Sequence, residues 1–184
     1  AEAMDEGRLW QVENLDRRIN EMKSLMAALE GDRTDDEAYL AWLTEGRDAA
    51  VVGDMTPNYA TLSDETLARM RDLSPASKFI FLIRDPLDRM WSHIRMQARR
   101  QRQAHEVYEK KSNNILYRIL NRGHETHILE RGDYPKIIRK LRRVIPEGRL
   151  LVQFTEELFT ADGIAKLCEF LGIKPVAAAV AKPA

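Results

Sequence analysis

The residues best suited to chemistry lie in one short segment, KFIFLIRDPLDRMWSHIRM, residues 78–96. An apolar run ends in Arg84, and Asp85-Pro86 follows at once. Aspartate suits the cap of a helix and proline its first position, so the chain is expected to turn directly from strand into helix. In open α/β sheets ligands bind beyond the carboxyl ends of the strands, which places Arg84 where a ligand should lie. Its guanidinium is permanently charged and forked, a match for two parallel hydrogen bonds to an oxyanion such as a phosphate. Ser92 lies two helical turns along, nearly in register with Asp85. An extended Arg84 side chain could therefore reach the same anion that the Ser92 hydroxyl touches. The plainer alternatives are an ion pair of Arg84 with Asp85 or Asp88, and a simple helix-surface role for Ser92. Arg89 reads as a surface or structural ion-pair partner rather than a ligand contact.

The elements that must position these residues follow from hydrophobic patterning. Three short apolar runs, AAVVGD (49–54), KFIFLIR (78–84) and RLLVQF (149–154), are separated by helical stretches. The second and third are apolar almost without alternation, as expected of strands buried on both faces of a parallel sheet. The fold class read from this is α/β, one domain with a parallel sheet flanked by helices. Helices are expected over 1–30, from the capping-box pair Thr34 and Glu37 to Gly46, and over 63–73, 85–103, 112–122, 133–145 and 162–171. In the first of these Val12, Leu15, Ile19, Met22, Met26 and Leu29 share one face at 3-4-3-4-3 spacing. That face either lies on the domain core or forms a hairpin or dimer seam, making the N-terminal helix the candidate surface for a homodimer. In RKLRRV and the residues before it, Ile137, Ile138, Leu141 and Val144 take the core side. Residues 174–184 read as a low-complexity tail.

The segment FIFLIRDPLDRMWSH resembles the 3′-phosphate-binding segment of sulfotransferases that use 3′-phosphoadenosine 5′-phosphosulfate (PAPS). In that family a strand runs into R-D-P-x-x-R-x-x-S, which maps onto Arg84, Asp85, Pro86, Arg89 and Ser92. VVGDMTPNYA is similar to the G-[DE]-x-[ST]-P-x-Y block of bacterial and heparan-type members. ERGDYPKIIRKLRRVIPEGRLLVQFTEELF and LCEFLGI resemble the later R-[GS]-x-Y helix, the next strand, an acidic turn and a helix end. Together the blocks span residues 51–173. The resemblance implies a P-loop-like sulfotransferase fold, PAPS as co-substrate with no metal, and transfer of a sulfuryl group to an acceptor hydroxyl or amine, a carbohydrate among the candidates. It implies that Arg84 and Ser92 hold the nucleotide's 3′-phosphate, with Thr56, Tyr59 and Tyr134 as candidate pocket residues. Tyr59 is equally a core residue, and Tyr134 equally packing at a helix start. Asp54, expected to end its strand on the ligand side, is a candidate base; otherwise it caps the turn Thr56-Pro57-Asn58.

Two departures qualify the match. No K-x-G-[ST]-[ST] or Walker-like run occurs to cradle the 5′-phosphosulfate, since Gly7 and Gly31 lack the accompanying Lys and hydroxyls. The first β-loop-α unit of such a domain is therefore expected to be missing from these residues; the alternative is a non-catalytic module that kept the fold and lost the loop. Met55 also stands where some branches place a lysine. Composition narrows the remaining classes. With 29 Lys+Arg against 29 Asp+Glu in 184 residues, the balance does not favour a nucleic-acid binder, although four arginines in RMQARRQRQ (95–103) form a local patch that could attract an anionic acceptor. One cysteine, Cys168, excludes an internal disulfide framework and suits a reducing, cytoplasmic setting, and it is expected on a buried helix face. His93, His105, His124 and His127 show no metal-ligand spacing beyond a bare H-x-x-H. No apolar run approaches a membrane span.

Overall fold

The computed structural model describes residues 2–28, 30, 36–45, 48–103 and 105–175. The chain divides into two compact units, residues 1–55 and 56–184. The first holds two helices, α1 (Glu2–Ala28) and α2 (Asp36–Thr44), with α2 packed back on α1. Thr34, Gly46 and Leu29, which figure in the expected helix ends and stripe, lie outside the described residues.

The second unit is mixed α/β and mostly helical. It runs α3 (Asp64–Asp72), β1 (Phe79–Ile83), α4 (Pro86–Gln101), α5 (Tyr108–Arg122), α6 (Thr126–Glu130), α7 (Tyr134–Val144), β2 (Leu150–Phe154), α8 (Thr155–Leu158) and α9 (Ala161–Leu171). The two strands pair in parallel, Phe79 opposite Leu150 through Ile83 opposite Phe154. Parallel neighbours need a long crossover, and four helices supply it.

Two apolar clusters hold this unit together. Leu67 of α3 meets Ile137 and Leu141 of α7 and Ile145, and Phe79, Phe81 and Leu150 of the sheet pack on that cluster. Ile94 and Ala98 of α4 meet Ile115 and Ile119 of α5 and Ile128 of α6 in the other. The expected core side of α7 is therefore borne out at Ile137, Leu141 and Val144, and Cys168 is buried on α9. Burial of the sheet on both faces is not complete: Ile80 is 40% and Phe154 49% exposed. In each strand the alternate residues point away from the α3–α7 cluster, and α9 covers that side chiefly over β2, where Gln153 and Leu151 are buried.

The expected first strand, 49–54, does not form; those residues are irregular and outside the two-stranded sheet. A strand exists only where a partner accepts its backbone hydrogen bonds, and Gly53 weakens any intrinsic preference. Sequence also missed α6 and α8, each too short to show a helical period, and started α5 four residues late.

Arg149 joins the strands to the first helix of this unit. Its Nε donates to the Ser77 carbonyl (2.7 Å), and its Nη2 to those of Arg71 (2.6 Å) and Ser74 (2.8 Å). One charged fork thus satisfies three carbonyls where α3 ends and the chain enters β1. Among the described residues no helix is long and apolar enough to cross a membrane.

Candidate functional site

The site is built where β1 hands over to α4. Ile83 is buried and fixes the strand end, and the backbone turns at Asp85, whose Oδ1 accepts the N–H groups of Leu87 (2.8 Å) and Asp88 (2.9 Å). Pro86 occupies the first helical position. The expected cap is thus present, and it has a consequence for anion binding. The Asp85 carboxylate already fills the N-terminal donors of α4, so an anion here must be held from the flank of the helix and not at its tip.

Arg84 occupies that flank. Its Nη2 donates to the Asp88 carbonyl at 3.1 Å, the oxygen that in an α-helix also accepts the amide of Ser92. Ser92 lies one turn beyond Asp88 on α4, and Cβ atoms on a helix lean towards its N-terminus. Ser92 is exposed, and its hydroxyl has no hydrogen-bond partner among the described residues. Nor does Arg84 form an ion pair there: Asp85 is spent on its cap, and Asp88 meets the guanidinium through its carbonyl alone. The two residues that the sequence singled out thus both lie at the β1–α4 junction without an acidic partner.

Tyr134 opens α7 beside them. Its hydroxyl accepts the Arg84 N–H at 3.4 Å, while its ring packs edge-on against Phe81 with centroids 6.0 Å apart. Its ring thus packs at the start of the helix. Thr56 and Tyr59 belong to the same unit. The Thr56 Oγ1 accepts the Asn58 N–H at 3.4 Å, Tyr59 is half-buried, and the Arg131 guanidinium donates to the Asn58 Oδ1. Arg131 ties this turn to the Arg-Gly-Asp-Tyr block that ends in Tyr134. Asp54 belongs to the first unit, ends no strand, and accepts a hydrogen bond from the Tyr39 hydroxyl at 3.1 Å. The turn at Thr56 is stabilised by its own threonine hydroxyl.

Arg89 corrects its sequence reading. It is half-buried and pairs with no acid; its guanidinium donates to the Ile128 carbonyl, and its Nε is buried without a partner. Desolvation lowers its pKa, helped by the positive charges of Arg84 and Arg131. Gly132 is what lets it in, since a Cβ there would stand 3.0 Å from Arg89 Nη2 and 3.2 Å from Nε. Sequence offered the sign of this, a glycine after Arg131, but not the partner.

The field at the site is positive. His93, one residue beyond Ser92, is pushed down to about 4, first by burial and then by Arg131, His127, Arg89 and Arg100. Farther along α4, Ser92, Arg95, Met96, Arg99 and Arg100 line an open depression of about 420 Å³. Arg95 also donates from Nε to the Tyr108 hydroxyl at 3.2 Å, lowering that phenol's pKa. The neutral total hides this concentration. Residues 56–184 hold 23 Lys and Arg against 15 Asp and Glu, a net of +8, whereas residues 1–55 hold 6 against 14, a net of −8.

Comparison of the chain with models of known families, with characterised proteins and with solved structures finds no match.

Proposed function

We propose that the second unit is the nucleotide-binding part of a P-loop-like sulfotransferase, moving a sulfuryl group from PAPS to an acceptor hydroxyl or amine, a carbohydrate among the candidates. The observation that carries this reading is the Arg84 guanidinium held on the Asp88 carbonyl, one helical turn before the exposed Ser92, at the carboxyl end of a parallel strand. A free hydroxyl and a guanidinium without an acidic partner suit a phosphate monoester. The nearby charges of Arg89 and Arg131 deepen the attraction. The fit is to one end of the nucleotide. Arg84 and Ser92 would hold its 3′-phosphate, while nothing among the described residues resembles a cradle for the 5′-phosphosulfate. When bound, PAPS would supply the transferable sulfuryl group; the residues here bind and orient.

The test is the affinity for 3′-phosphoadenosine 5′-phosphate, measured by calorimetry on the full chain. Loss of a charge-assisted contact to phosphate in Arg84→Ala should weaken binding roughly 10- to 100-fold. Adenosine 5′-phosphate, which lacks the 3′-phosphate, should bind wild type and variant alike. Equal affinity of the two proteins for the 3′-phosphorylated nucleotide would sink the assignment.

A second reading, a non-catalytic nucleotide-binding module, is favoured by the lack of a Gly-Lys-Ser/Thr run in the sequence. The two share nucleotide binding and part over transfer. Sulfuryl transfer from labelled PAPS to a panel of saccharides separates them.

A further inference from the structure

Residues 1–55 form a unit of their own. None of its described side chains is buried. On α1, Val12, Leu15, Ile19, Met22 and Met26 are 54%, 55%, 46%, 63% and 69% exposed. The half-buried positions of α1 among the described side chains are Asn14, Leu25 and Ala28, which lie to one flank of that stripe. Within the first unit, contact with α2 therefore covers the flank of α1 and leaves the apolar stripe exposed. A helix lying on a globular core shows the reverse. The stripe also repeats every 3.5 residues, the period that keeps a seam facing another helix over several turns.

We propose that this seam pairs with the α1 seam of a second copy of the chain, in antiparallel orientation, with Ile19 opposite Met22 of the partner subunit. The charges beside the seam choose both the occupant and the direction. Asp16 and Lys23 each follow a seam residue on the flank away from Leu25. In an antiparallel pair these flanking positions face each other, so Asp16 meets Lys23 of the partner subunit, and the twofold axis repeats the pair. In a parallel, in-register pair Lys23 would instead meet position 18, which is also basic. Residues 12–29 carry three acids and three bases, so the seam does not repel itself although the unit as a whole is acidic. Two α1–α2 hairpins joined in this way supply four helices around a shared interior, which one hairpin cannot enclose.

Sedimentation velocity on the full chain should show dimers at tens of micromolar that dissociate on dilution. Ile19→Asp should leave monomers. Lys23→Asp should weaken the dimer about tenfold, and adding Asp16→Lys to that variant should restore it, since the swapped charges match again. Restoration also shows that the single change acted through pairing and not through folding. For direction, a Cys168→Ser background carrying Ile19→Cys and Met22→Cys should oxidise to a doubly linked dimer, whereas Ile19→Cys alone should not cross-link. A wild-type monomer at 100 μM, on the order of a weak-dimer dissociation constant, overturns the proposal. Failure of the charge swap to restore pairing, or efficient cross-linking by Ile19→Cys alone, overturns the antiparallel arrangement.

Discussion

Replacing Gly163 by alanine tests how tightly the last helix is seated on the sheet. A Cβ at this position would stand 1.9 Å from the Glu157 carbonyl oxygen, 2.7 Å from its carbon and 2.9 Å from Gln153 Nε2. The first two are backbone atoms, so no rotamer change relieves the clash, and α9 must move away from α8 by more than an ångström. That motion breaks two further features. The Gly163 N–H donates to the Thr160 Oγ1 at 3.0 Å, the cap of α9, and the buried Gln153 has the Gly163 carbonyl, at 3.2 Å, as its side-chain hydrogen-bond partner. Overpacking costs roughly 1–3 kcal/mol, a lost cap about 1, and an orphaned buried amide another 1–3. Better helix propensity returns somewhat under 1 kcal/mol. The expected net loss is about 3 kcal/mol, a large share of the roughly 5–15 kcal/mol that holds a domain together. Urea titration followed by circular dichroism should show a lower midpoint with an unchanged slope, and the melting temperature should fall by roughly 6–12 °C. Gly148→Ala is the control: nothing lies within 4 Å of its Cβ position, so its stability should stay within about 0.5 kcal/mol of wild type. A Gly163→Ala protein as stable as wild type would refute the packing described for α9.

Gly132→Ala pushes on the half-buried Arg89 and on the Leu129 carbonyl, 3.3 Å from the new carbon; about 1 kcal/mol of destabilisation is expected, and an unchanged melting curve counts against the contact. His93, depressed from 6.5 to about 4 by burial and its cationic neighbours, stays neutral in the folded protein while the unfolded chain takes up a proton between those values. Stability should therefore decline as pH falls through that window, by about 1 kcal/mol once solvent screening of a partly exposed ring is allowed for. His93→Gln should flatten that part of the profile, and an imidazole resonance titrating near 6.5 in the folded protein would contradict it. Bound 3′-phosphoadenosine 5′-phosphate should raise the His93 value, because the anion offsets the charges of Arg89 and Arg131.

The parts of this fold that could be read in advance carry their signal locally. Lys78–Arg84 and Arg149–Phe154 announce strands because apolar side chains run almost without interruption, and β1 and β2 fall inside them. Asp85-Pro86 announces α4 because one residue supplies an acceptor and the next a fixed φ, and both do so. The position of Ser92 on the helix that follows Arg84 was legible for the same reason, since a helix converts spacing into direction. What failed depends on partners far away in the chain. Val51 and Val52 have the composition of a strand, but pairing decides whether a strand forms, and among the described residues the sheet has two strands. Arg89 has the type of an ion-pair residue, yet its destination is a carbonyl 39 positions later, made reachable by the missing side chain of Gly132. The stripe on α1 was visible as a pattern, while its exposure was not, because periodicity says which residues share a face and nothing of what covers it.

The opposite charges of the two units bear on how the molecule meets others. A body whose charges cancel evenly has no long-range preference, but this chain carries +8 on one part and −8 on another. At low ionic strength opposite charges of this size attract between molecules, and added salt weakens that attraction. Around physiological salt the field of a charge fades within roughly 8 Å, so an anion at α4 senses chiefly the charges beside it, those of Arg95, Arg99 and Arg100. Neutrality on paper would then coexist with strong retention on a cation exchanger by residues 56–175 and on an anion exchanger by the N-terminal part.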